Sequence, residues 1–142
     1  MKRTLANVKK FAGEPAVEET RWLDGERATS LIYHFEPWPE FDFEVVGDAN
    51  GFWIDGGFVR REDSEVPHVE APEELEPWRH LLSEVRERFG PLEEGDLWYP
   101  FEDHGLESRG ADDVMYEYDV KFSWRMLQMI RVDPRWPDGR PA

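Results

Sequence analysis

From Val114 to Arg125 the chain alternates without a break. Val114, Tyr116, Tyr118, Val120, Phe122 and Trp124 fall on one side, and Met115, Glu117, Asp119, Lys121, Ser123 and Arg125 on the other. An extended chain with its period of two separates two such sets, whereas a helix would scatter both round its circumference. A slip of one residue would expose every apolar member, so the pairing register of this strand is tightly specified. The chain must therefore build a sheet with one covered face and one polar face. After Met126-Leu127 the phase changes. Leu127–Ile130 either continue the strand past a bulge or form a short turn of helix, and Asp133-Pro134 ends it.

The same pattern recurs in shorter pieces near the N-terminus. Asp24-Gly25 follows Trp22-Leu23 and precedes Thr29–Glu36, a strong hairpin signal because both turn positions tolerate positive φ. Phe41, Phe43 and Val45 alternate with Asp42 and Glu44. Asp48-Ala49-Asn50-Gly51 then turns the chain into Phe52–Val59. Gly56-Gly57 inside that run marks a bulge or a close backbone approach. This region reads as a four-stranded antiparallel meander.

One helix is expected. Trp78, Leu81, Leu82, Val85 and Phe89 are spaced as one apolar stripe. Pro77 suits the first helical position, Arg86 and Arg88 suit the negative end, and Gly90-Pro91 stops it. Residues 90–112 read as a long loop around the apolar island Leu97–Phe101. The expectation is a single acidic α+β domain over residues 1–142, with loose ends at 1–12 and 134–142. Its antiparallel sheet of five to six strands packs on one main helix.

Composition narrows the function classes. A mean hydropathy of −0.73 and 35% charged residues would by themselves suit a disordered chain. An aromatic content of 14%, with seven Trp, calls for a core. The absence of Cys excludes disulfides, thiolate catalysis and Cys-ligated metals. Met1–Lys10 starts basic, but no apolar stretch follows, so neither a secretory signal nor a membrane span is expected and a cytoplasmic location is. A formal net charge of −15 disfavours direct contact with nucleic acid.

Catalytic patterns are weak. His34, His68, His80 and His104 fall in no metal-ligand spacing. His34 shares a strand face with Glu36, and His80 with Glu84 suits a surface ion pair on the helix. Glu102-Asp103-His104 with Ser108 lacks the turn that exposes a nucleophile, so a polar loop is the better reading. No catalytic residue, metal or cofactor is assigned.

The charge pattern is more informative. The first ten residues hold four bases and no acid, so the remainder is more acidic than the whole. Residues 62–76 contain seven acids and neither Lys nor Arg. A second set follows the helix. The expected contact surface comprises Glu70, Glu73, Glu74 and Glu76, then Glu93, Glu94, Asp96, Glu102 and Asp103, with Trp98 and Tyr99 as aromatic anchors. Rows of carboxylates imitate phosphates and steer a basic protein into contact. On this reading the acids are surface groups, and Gln at 70, 73, 74 and 76 would leave the fold intact.

In size, acidity, Trp content and lack of a catalytic signature the chain resembles the small antitoxin or immunity proteins that neutralise bacterial nuclease toxins. The resemblance is compositional and covers no motif, so no residue role carries over. It implies a non-enzymatic inhibitor of a basic protein. Two other classes compete. A ligand-binding or enzymatic domain would use a pocket lined by Tyr116, Tyr118, Phe122, Trp124 and Tyr33. A homodimer or larger assembly would pair through the 113–125 strand as a sheet edge.

Overall fold

The computed structural model describes residues 3–141. They form two compact units, Met1–Ser64 and Glu65–Ala142.

The first unit opens with helix α1 (Leu5–Ala12), begun where Thr4 Oγ1 accepts the Asn7 N–H at 3.2 Å and ended at Gly13 with φ 82°. The expected meander follows as β1 (Val17–Leu23), β2 (Glu26–His34), β3 (Phe41–Gly47) and β4 (Trp53–Arg60), paired in that order. Asp24 and Gly25 turn the first hairpin at φ 51° and 79°. Asp48 Oδ1 holds the third turn by accepting the N–H groups of Asn50 and Phe52, both at 2.9 Å. Leu5, Leu31 and Val45 form one core cluster, with Val8, Tyr33, Phe43 and Trp53 against it. Gly47 lies at a bulge, and a Cβ there would stand 2.5 Å from the Leu5 side chain, so its bareness seats the helix on the sheet.

The second unit starts with residues 65–81, a strap containing a 3-10 turn at Pro72–Glu74. Helix α2 (Leu82–Phe89) then leads into β5 (Glu93–Trp98), β6 (Phe101–Arg109), β7 (Val114–Ser123) and β8 (Met126–Val132). These four strands form an antiparallel meander, and the two-residue β9 (Arg140–Pro141) pairs with the start of β7. Val69 and Leu75 of the strap, Leu82 and Val85 of α2, and Leu106, Tyr118, Val120, Phe122 and Leu127 of the sheet share one core.

The expected fold class is thereby corrected. In place of one sheet of five to six strands on a main helix, the protein is mostly β, with two antiparallel four-strand meanders, the second joined by the two-residue β9, and two short helices. Three local causes account for this. First, the helix begins at Leu82 and not at Pro77. The N–H of Trp78 donates to Leu127 O, that of Leu127 to His80 O, and that of Leu82 to Arg125 O, each at 2.9 Å. Residues 78–82 therefore bond to the start of β8, and Trp78 adopts φ 64°, outside helical geometry. Second, residues 93–109, expected to be loop, form a hairpin turning through Tyr99 and Pro100, which are joined by a cis peptide bond. Third, the long alternating run ends at Ser123. Trp124 and Arg125 turn the chain at φ 52° and 69°, and Met126 begins a new strand. Neither turn residue is of a type that favours a left-handed backbone, which costs about 1–2 kcal/mol per residue.

The expected burial of β7 holds in its middle. Tyr118, Val120 and Phe122 are buried, Val114 and Tyr116 are half-buried, and Trp124 belongs to the turn. β7 pairs with β6 on one side and with β8 and β9 on the other, so it is not an open edge.

Candidate acidic interface of the second unit

The residues expected to form one acidic surface have two different fates. In the strap, each carboxylate has a partner within the chain. Glu70 Oε1 accepts from His68 Nε2 at 2.6 Å, and its other oxygen lies 3.5 Å from Arg88. The His68 contact holds the Glu70 carboxyl below the usual range. Glu73 accepts a short hydrogen bond from the Tyr118 hydroxyl. Glu74 Oε2 accepts the N–H groups of Glu70 and Ala71 at 2.8 and 2.7 Å, which caps the 3-10 turn. Glu76 lies 3.7 Å from Arg79. Burial, followed by the Glu73 carboxylate, holds the Tyr118 hydroxyl well above the usual phenol range.

On the β5–β6 hairpin four acids are left unmatched. Among the described residues, Glu93, Glu94, Asp96 and Asp103 form no ion pair. They line one side of a groove of about 510 Å³ on the second sheet. Its other side carries Glu107, Glu117, Asp119 and Asp133, making eight lining carboxylates against the guanidiniums of Arg135 and Arg140. The farther four are paired. Arg140 contacts Glu107 at 3.1 Å and also Glu117, Arg131 lies 3.3 Å from Asp119, and Arg135 grips Asp133 through both carboxylate oxygens. That grip holds the Asp133 carboxyl below its usual range. Negative charge in the groove is thus concentrated toward β5.

Glu102 and Asp103 separate because consecutive strand residues point to opposite faces. Asp103 reaches the groove, while Glu102 is half-buried on the other face, 3.5 Å from the buried His104 ring. His104 and Ser108 are four strand residues apart, about 13 Å at 3.3 Å per residue, too far to act as a catalytic pair. Among the described residues no group of three or more His, Asp or Glu gathers as a metal site. No helix among them is long and apolar enough to cross a membrane.

Beside the unpaired acids stands an apolar tip. Trp98 is 82% exposed, and Leu97, Tyr99 and Phe101 are also exposed. The Tyr99 ring packs edge-on to Trp124, centroids 5.4 Å apart, and the Trp124 N–H donates to Pro100 O at 3.1 Å. The β5–β6 and β7–β8 turns are thereby locked together, with Trp124 and Arg125 held in their unfavourable backbone geometry. Glu107, Glu117 and Asp119 were not in the expected surface. The signal for two of them was present in the polar side of the 114–125 alternation.

No family model matches the chain, and no curated protein matches it. Among solved structures, a "putative beta-lactamase inhibitor protein" from Streptococcus mutans is similar at 11% identity over 92% of this chain and 82% of that one, with a TM-score of 0.37. A likeness of that degree bears on neither fold nor function here.

Proposed function

We propose that this chain is a non-enzymatic binding protein of the inhibitor or immunity kind, which neutralises a basic protein partner. The β5–β6 hairpin is the contact surface. The observation that carries this reading is the juxtaposition, on one hairpin, of four unpaired carboxylates and four exposed large apolar side chains. Solvated acids alone would serve solubility, and an exposed Trp alone would be a liability. Together they match the anatomy of an interface, with aromatic anchors beside charges that steer encounter. The left-handed turn at Trp124-Arg125 supports it, because strain held by surrounding contacts is common where a surface must be displayed in one shape.

A nuclease of high isoelectric point is the partner class that such a surface fits, because carboxylate rows and stacking rings can occupy a cleft built for nucleic acid. The test uses the basic proteins retained from the source cell by the purified chain at low salt. Stopped-flow association with the retained protein should slow steeply with salt, since exposed charges are screened over about 8–10 Å at physiological ionic strength. Trp98→Ala should raise the dissociation rate about 30-fold, the equivalent of a 2 kcal/mol hot spot. Retention that is indifferent both to salt and to Trp98→Ala would sink the proposal.

A further inference from the structure

The first unit carries a different kind of concavity. A groove of about 570 Å³ runs between α1 and the sheet, within the range of small-molecule sites. Its walls are apolar, with Val8 and Phe11 on the helix and Phe43, Val45 and Trp53 on the sheet. The groove is built into the backbone. At its start the helix is pinned by buried Leu5, by the Leu5 N–H donating to Gly51 O at 2.9 Å, and by the Trp53 N–H donating to Arg3 O at 2.8 Å. At its end the Tyr33 hydroxyl donates to Gly13 O at 3.0 Å, and Lys9 pairs with Glu18 at 2.5 Å. Between the pins Val8 is half-buried and Phe11 is 72% exposed.

Charge selects the ligand. The chain is strongly acidic, yet this groove borders its one basic stretch. The Arg3 guanidinium sits 4.7 Å over the Trp53 ring at the groove wall, and among the described residues it forms no ion pair. We propose that the groove binds a small amphipathic anion, an aromatic or branched aliphatic body bearing a single acidic group. The body fills the space between Phe11, Phe43 and Trp53, and the acidic group meets Arg3. This site lies wholly in the first unit and does not depend on the hairpin reading.

Two probes with one ring system test it: 8-anilinonaphthalene-1-sulfonate and the uncharged N-phenyl-1-naphthylamine. The sulfonate should bind saturably and move the backbone amide resonances of α1, Phe43–Val45 and Trp53. Arg3→Gln should weaken the sulfonate about tenfold and leave the uncharged probe unchanged. Val8→Glu should abolish both. Phe11→Asp, at an exposed position, gives the same loss if Val8→Glu does not fold, as judged by circular dichroism. Resonance shifts elsewhere, no saturation at millimolar probe, or equal affinity for both probes would overturn the proposal. So would a concentration-dependent dimer that Phe11→Asp dissociates, because a second copy would then cover the groove.

Discussion

The strap of residues 65–76 and the β5–β6 hairpin are both acid-rich, and in sequence they look alike. In the fold they differ in what their neighbours provide. The strap lies on the core through Val69 and Leu75, so its carboxylates are close to a phenol, a histidine, two arginines and backbone N–H groups. The four carboxylates on the near side of the hairpin groove form no ion pair among the described residues. Acidic density therefore does not tell carboxylates that the chain pairs internally from those it leaves unpaired. On the proposed function, a docking charge differs from a structural one in that the chain supplies it no counter-group.

Mutations separate the two regions. The largest effect belongs to Leu75→Ala, which should destabilise the second unit by about 2–5 kcal/mol in urea unfolding, as for a buried leucine. Trp98→Ala should stay within about 0.5 kcal/mol. Equal losses would mean that the strap is no more part of the core than the hairpin tip.

Next comes the Tyr118–Glu73 bond. Glu73→Gln and Tyr118→Phe should each cost about 1–3 kcal/mol, as for a hydrogen bond to a charged group, and the double variant should cost less than their sum. This bond also has a pH signature. The folded-state pKa of Tyr118 is raised, so its contribution is fully present below the unfolded phenol value of ~10 and is lost as pH rises beyond it. Stability should fall above that pH in the wild type and fall less steeply in Tyr118→Phe.

The smallest change is expected from the quadruple variant Glu93→Gln, Glu94→Gln, Asp96→Asn, Asp103→Asn. Its unfolding midpoint should stay near that of the wild type, because no ion pair is lost. Gln at 70, 73, 74 and 76 should instead lower the midpoint clearly, contrary to the expectation from sequence that this exchange leaves the fold intact. A reversal of that order would erase the distinction between the two regions.

Wherever a local rule operates alone, the sequence was a sufficient guide. Asp24-Gly25 and Asp48–Gly51 turn the chain as their backbone preferences require, and the first meander follows. The alternation of Tyr118, Val120 and Phe122 put those three in a core. Gly90 ended α2 as expected. The misreadings lie where a distant strand supplied the bonding. Trp78 and Leu81 sit at helical spacing, yet β8 takes the backbone groups that a helix would have used. Trp124-Arg125 carries no turn signal, because the contacts of Tyr99 and Pro100 stabilise a geometry that the residues themselves disfavour.

The candidate surface divides along the same line. By itself the sequence determined that the chain is acidic, that Trp98 and Tyr99 lie among acids, and that β7 has one polar face, because composition and a period of two need no partner. Tertiary structure alone decided which carboxylates are matched and that residues 93–109 pair into the sheet as strands. It alone raised helix α1 over an apolar groove. Each depends on groups far apart in the chain meeting in space, and a single sequence carries no direct record of such meetings.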